Sequence, residues 1–175
     1  AQCHSHKFDP FSQKEFYRLF AFFNNTEDEV VPGNRPFERQ FVGPRISVPT
    51  PSEHSALVMV ERNDPRATHL LIRGSYLNPG ERVSAGVPNA WHAWPAGQPT
   101  NRLGLARWLM HPENPLTSRV AVNRIWSQIM GRPLVETSDD FGSQGRPPTH
   151  PRLLDFLADE FVHIGWSQKA MNRLL

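Results

Sequence analysis

The sequence predicts a mainly α-helical chain with a small antiparallel β element, a helical bundle in the C-terminal half and long Pro/Gly-rich connections. Three observations carry this. Apolar residues recur at helical spacing within 12–23, 100–110, 117–130 and 150–164. Two short runs, 56–60 (ALVMV) and 68–73 (THLLIR), have strand composition and flank the turn-like ERNDPRA. Finally, Gly 11 and Pro 17 gather mostly between residues 32 and 99 and around 147, while the apolar fraction is only 38%. That composition supports a modest core and irregular connections.

Residues 1–11 read AQCHSHKFDPF, a cluster of Cys3, His4, His6 and Asp9 closed by Pro10. Ser12 and Glu15 form a capping box, each side chain meeting a free N–H of the first turn. Phe16, Leu19, Phe20 and Phe23 then share one helical face, predicted to be core, and Asn24 and Asn25 end the helix. Residues 26–55 read as irregular, because their prolines hold neighbours extended. The runs 56–60 and 68–73 are expected to pair across ERNDPRA, with another short strand in GSYLNPGERVSAGVP. Trp91 and Trp94 are expected to pin the loop 89–99 to the core.

Thr100 is the expected cap of the helix at 100–110, whose face is Leu105, Trp108 and Leu109, with Gly104 allowing close packing. The short HPENP connection predicts an antiparallel neighbour at 117–130, capped by Thr117 or Ser118. Val122, Ile125, Trp126, Ile129 and Met130 make its stripe, and Gly131 can take positive φ at its end. Thr149 and Pro151 suit the start of the helix at 150–164, whose apolar face is Leu154, Leu157 and Phe161, widened by Leu153 and Phe156. Gly165 ends it, and Trp166, Ser167 and Met171 mark a fifth helix. Three regions are expected: 1–25, 26–99 and 100–175.

The net charge is +2, and the basic residues, mostly Arg, are scattered. Nucleic-acid binding needs clustered cations, so no nucleic-acid partner is expected. No run of about 18 apolar residues occurs, so no membrane span is expected. Cys3 is the single cysteine, which excludes an internal disulfide. The chain starts on a motif-like run without Met and stops in a helical pattern, so it is expected to be part of a longer polypeptide.

Two stretches carry chemistry. In A-Q-C-H, Cys3 and His4 match the end of C-x-x-C-H, where thiols form thioethers to haem and the histidine is the axial ligand. The same atoms allow a divalent metal site at His4, His6 and Asp9. The second stretch is the loop between the last two long helices, with Glu136, Asp139, Asp140 and His150 as candidate ligands or an acid–base pair. Its plainer reading is a connecting loop whose acids pair with Arg132 or Arg146. No phosphate loop, dinucleotide fingerprint, nucleophile elbow or zinc-protease motif is present.

CHSHKFDPFSQKEFYRLFAFF resembles the end of the DUF1549 region of large planctomycete-type proteins. NRLGLARWLMHPENPLTSRVAVNRIWSQIMGRPLVETSDDFGSQGRPPTHPRLLDFLADEFVHIGWSQKAMNRLL resembles the start of the DUF1553 region of those PSD1, planctomycete cytochrome c domain-containing proteins. The resemblance implies an exported, periplasmic or cell-envelope protein of several domains, with haem c at Cys3 and His4. Its partners would be the remainder of the same polypeptide and a redox protein. Three functions are open: a haem-containing redox module, a metal-assisted hydrolase acting on polysaccharide, and a structural or interaction domain without catalysis. Whether the chain is an enzyme is left undecided at this point. The hydrolase reading predicts that Asp139, Asp140 and His150 share one cleft with His4, His6 and Asp9.

Overall fold

The computed structural model describes residues 1–26, 30–32, 39–41, 45–48 and 54–175. Its helices are α1 (Gln13–Ala21), α2 (Arg102–Leu109), α3 (Thr117–Met130), α4 (Pro151–His163) and α5 (Gln168–Leu174). Strands β1 (Val30–Pro32), β2 (Arg39–Phe41), β3 (Arg45–Val48), β4 (His54–Leu57), β5 (Thr68–Leu71) and β6 (Pro79–Val83) form antiparallel pairs in sequence order. The chain is mainly helical with small two-stranded β elements and a C-terminal bundle, as its patterning predicts.

Strand pairing departs from expectation. The runs around 56–60 and 68–73 do not pair with each other: β4 pairs with β3, Arg45 opposite Leu57, and β5 pairs with β6, Thr68 opposite Val83. ERNDPRA is instead held by the end of the first helical segment. Arg62 N–H donates to the Asn25 carbonyl at 3.1 Å, and Asn25 Nδ2 donates to Glu61 Oε2 at 3.0 Å. Arg102 Nε reaches Glu61 Oε1 at 2.9 Å, so these polar partners, and not a hairpin turn, set the course of the segment. Strands β1, β2, β3 and the start of β4 fall within 26–55, which the prolines marked as irregular, and Thr26 bridges to Glu61; residues 27–29, 33–38, 42–44 and 49–53 of that span lie outside the described residues.

Two cores organise the fold. Phe22, Val87, Leu105 and Trp108 form one, with Leu19, Trp91 and Trp94 against it. Val122, Ile125, Leu134, Val135, Leu154, Leu157, Phe161 and Met171 form the other. Helix α2 therefore does not pack beside α3 as the short connection suggested. Its buried Leu105 and Trp108 belong to the first core, whereas α3 packs on α4. Gly104 is required there, because a Cβ would run into the Pro99 carbonyl.

Caps and stripes are partly displaced. The capping box of Ser12 and Glu15 forms, and Ser167 accepts from Ala170 N–H as expected. Helix α2 is capped by Asn101, not Thr100. Asn114 Oδ1 takes the N–H groups of Leu116 and Thr117 at 2.9 and 3.1 Å, so neither Thr117 nor Ser118 caps α3. Thr149 does not cap α4, since its N–H and hydroxyl both go to the Leu134 carbonyl. On α1 the buried rings are Tyr17 and Phe22, while Phe20 and Phe23 are exposed. The helix proper ends at Ala21, and Phe22, its C-cap, still has helical dihedrals and turns into the core. Ile129, Met130 and Phe156 are also exposed, Trp126 is only half-buried, and the fully buried tryptophan is Trp108.

Candidate functional site

The N-terminal run is strapped to the start of α1. Gln13 Nε2 donates to the Gln2 carbonyl at 2.8 Å and the Leu71 carbonyl at 3.0 Å. The Tyr17 hydroxyl also donates to Gln2 O, at 3.1 Å, and Gln13 N–H donates to Ser5 Oγ at 3.2 Å. These bonds fix the backbone on either side of Cys3, whose thiol is exposed and unpaired. Its Sγ lies against Gly74, where a Cβ would stand 2.8 Å from the sulfur. Arg73 and Gly74 both have positive φ, 54° and 73°, and this left-handed turn brings the hairpin backbone up to the thiol. Burial pushes the Tyr17 phenol up, and the neighbouring Cys3 adds to the rise.

His4 Nδ1 lies 2.7 Å from the Ser5 carbonyl. A carbonyl only accepts, so Nδ1 carries the proton and Nε2 is the bare nitrogen, the tautomer that suits an axial or metal ligand. His6 is spent differently. Its Nδ1 is 3.0 Å from Asp9 N and 3.2 Å from Asp9 Oδ2. Nδ1 accepts the Asp9 N–H, and both contacts tie the ring to Asp9.

Asp9 joins the two candidate stretches. Its Oδ1 accepts the Ser143 N–H at 2.8 Å and the Ser143 hydroxyl at 2.9 Å. Gly142 makes the approach possible, since a Cβ there would stand 2.5 Å from Oδ1 and 2.9 Å from Cγ. The Ser143 N–H, then its hydroxyl, hold the Asp9 carboxyl below its ordinary value, and the charge of His6 adds to the effect.

The loop that presents Ser143 is built by its own polar groups. Asn123, fully buried on α3, accepts the Val135 N–H at 2.8 Å and donates to the Val135 carbonyl at 3.1 Å. Thr137 Oγ1 donates to Asp140 O at 2.8 Å and accepts Arg146 N–H at 2.9 Å. Asp140 Oδ1 accepts Gly142 N–H at 2.9 Å, an Asx turn that aims Ser143 at Asp9.

Asp9, Asp139 and Asp140 line one cavity of about 490 Å³ with Phe11, Trp91 and Phe141. Cys3, His4, His6, Glu136 and His150 do not line it. Glu136 pairs with Arg146 at 2.9 Å, the plainer reading of that acid. Asp139 is 3.7 Å from Arg124, and His150 Nδ1 is 3.1 Å from Thr149 Oγ1. Of the cleft expected for a hydrolase, only Asp9 with Asp139 and Asp140 comes together. Among the described residues no group of three or more His, Cys, Asp or Glu is placed to hold a metal ion, at His4, His6 and Asp9 or elsewhere. Asp9 Oδ1 is committed to Ser143 and Asp140 Oδ1 to the Gly142 N–H, while the Asp139 side chain is exposed.

Gly142 is legible in the sequence only as a loop-shaping glycine, and Ser143 carries no signal of its own. Their run, DDFGSQG, stands out for glycine and acid, but nothing local names a partner 134 positions away. Among the described residues no helix is long and apolar enough to cross a membrane.

Residues 101–175 match the family PSD1, described as a protein of unknown function (DUF1553). Residues 1–28 match PSCyt2, described as a protein of unknown function (DUF1549). No curated protein and no solved structure matches the chain.

Proposed function

The chain belongs to the DUF1549/DUF1553 (planctomycete cytochrome c domain) family group, and on that premise we propose that it is the joint of an exported, multidomain redox protein. In this reading Cys3 and His4 form the attachment run of a c-type haem. The observation that supports it is the state of His4: Nδ1–H is tied to the Ser5 carbonyl, which leaves Nε2 bare, and the preceding residue, Cys3, has an exposed, free thiol. A soft sulfur and an imidazole nitrogen fit a haem iron and its vinyl edge, with Cys3 supplying one thioether. When bound, haem supplies one-electron chemistry.

The chain's own residues position and shield. Gln13 and Tyr17 hold the backbone before Cys3, and Asp9 holds the end of the run on the bundle loop. Phe11, Phe16, Leu19 and Trp91 wall an apolar cavity of about 320 Å³ beside Ala1 and His6, which neither Cys3 nor His4 lines.

The clasp favours a second reading, a structural joint without catalysis, because Asp9, Asp140 and Glu136 all have protein partners. Metal-assisted hydrolysis draws no such support from the scattered His4, His6, Asp139 and His150. The experiment is a pyridine-haemochrome spectrum of the chain exported from a host with c-type cytochrome maturation. The redox reading expects covalent haem that is lost in Cys3→Ala and in His4→Ala. A folded, colourless protein would leave the structural reading.

A further inference from the structure

Independently of haem, we propose that a separate cavity beside α1 binds a sugar-sized carboxylate, a uronate-type ring, with Arg18 as its anchor. The cavity holds about 420 Å³ and is lined by Arg18, Asn89, Trp91, His92, Trp94 and Thr100 among others, with no acidic residue in its wall. Concave, largely pre-formed sites with aromatic walls and a few placed polar groups are where small ligands bind.

Arg18 is a cation without a committed partner. Among the described residues its guanidinium makes no hydrogen bond and no ion pair. The carboxylate that feels its charge, Glu15, is already engaged. Glu15 Oε1 accepts Asn89 N–H at 2.8 Å, and Oε2 accepts the Ser12 N–H and hydroxyl at 2.9 and 2.8 Å. The guanidinium rests against Gly86, where a Cβ would stand 2.5 Å from Nε and 2.6 Å from Cζ. A planar fork of N–H donors is complementary to a carboxylate.

The rest of the wall selects a hydroxylated ring over a bare anion. Trp91 stacks on Trp108 at 5.5 Å and Trp94 on Phe22 at 5.3 Å, so both indoles are fixed by their neighbours. Fixed indoles offer negative faces to the C–H face of a sugar. His92 is stacked on Trp108 at 4.7 Å, and its Nε2 lies 3.1 Å from the Trp108 carbonyl, so Nε2 carries the proton. Its Nδ1 is buried and has no protein donor.

The test is titration calorimetry of the 175-residue chain with galacturonate and glucuronate, against neutral galactose, benzoate and inorganic phosphate. The proposal expects saturable uronate binding, at least tenfold weaker binding of the other three, and at least tenfold weaker uronate binding in Arg18→Gln. Gly86→Ala keeps the charge but displaces the guanidinium, and it is expected to show the same loss. Unfolding midpoints like the parent's confirm that both variants fold. Absence of uronate binding, binding unchanged in both variants, or equal binding of benzoate or phosphate would overturn the assignment.

Discussion

Asn123 is the buried staple on which the bundle loop depends, and its removal has a calculable cost. Its amide pairs with both polar groups of the Val135 backbone, as a facing strand would, and both residues are buried. Asn123→Ala leaves the Val135 N–H without a partner, which costs about 1–3 kcal/mol, and removes a second bond worth about 0.5–1.5 kcal/mol. The sum is about 1.5–4.5 kcal/mol, read as a lower urea midpoint at constant m-value. Asn123→Asp sharpens the test. An ionised carboxylate still accepts the Val135 N–H but faces the Val135 carbonyl without a proton to give. Its deficit should therefore exceed that of Asn123→Ala at neutral pH and shrink as acid protonates the group. A loss below about 0.5 kcal/mol in Asn123→Ala, within the range of an ordinary surface change, would refute the staple.

Two further outcomes are expected. Trp108→Ala should cost about 3–5 kcal/mol in the same assay, because the ring is wholly buried, and Trp126→Ala distinctly less, because its ring is only half-buried. Equal costs would contradict the division of the two cores. The second outcome concerns acid. Asp9 and Glu15 both have folded pKa values below their ordinary values of 3.8 and 4.5, Glu15 chiefly through the Asn89 N–H. A depressed carboxyl stabilises above its unfolded pKa and loses that contribution as pH falls through the folded one. Stability from these groups should be flat above about pH 5 and fall below about pH 4.5, with a shallower fall in Glu15→Gln. An acid limb unchanged in Glu15→Gln would contradict it.

Local signals in the sequence were dependable where the physics is local. The Ser12–Glu15 capping box, the left-handed Gly131, Pro151 at the first turn of α4 and the Ser167 cap all stand where the chain chemistry puts them. Signals that need a distant partner were not legible. Asn114 displaced Thr117 and Ser118 as the cap of α3, because a side chain just outside the helix had the better reach. Runs of strand character did not disclose that β4 pairs backwards with β3 and β5 forwards with β6. The candidate site was half legible for the same reason. Cys3, His4 and the acidic loop stood out by composition, whereas Ser143 and Gly142 acquire a role only when the fold brings Asp9 to them.

The N-terminal run and the bundle loop are one mechanical unit, clasped by Asp9. Hydrogen exchange of the parent chain and Gly142→Ala tests this most directly, since a Cβ at 142 displaces the Asp9 carboxylate without touching the run's own sequence. The amides of Asp9 and Ser143 are expected to lose protection together, with the loss extending along residues 1–11 and 136–146 alike. Loss confined to the loop, with the N-terminal run unchanged, would contradict it.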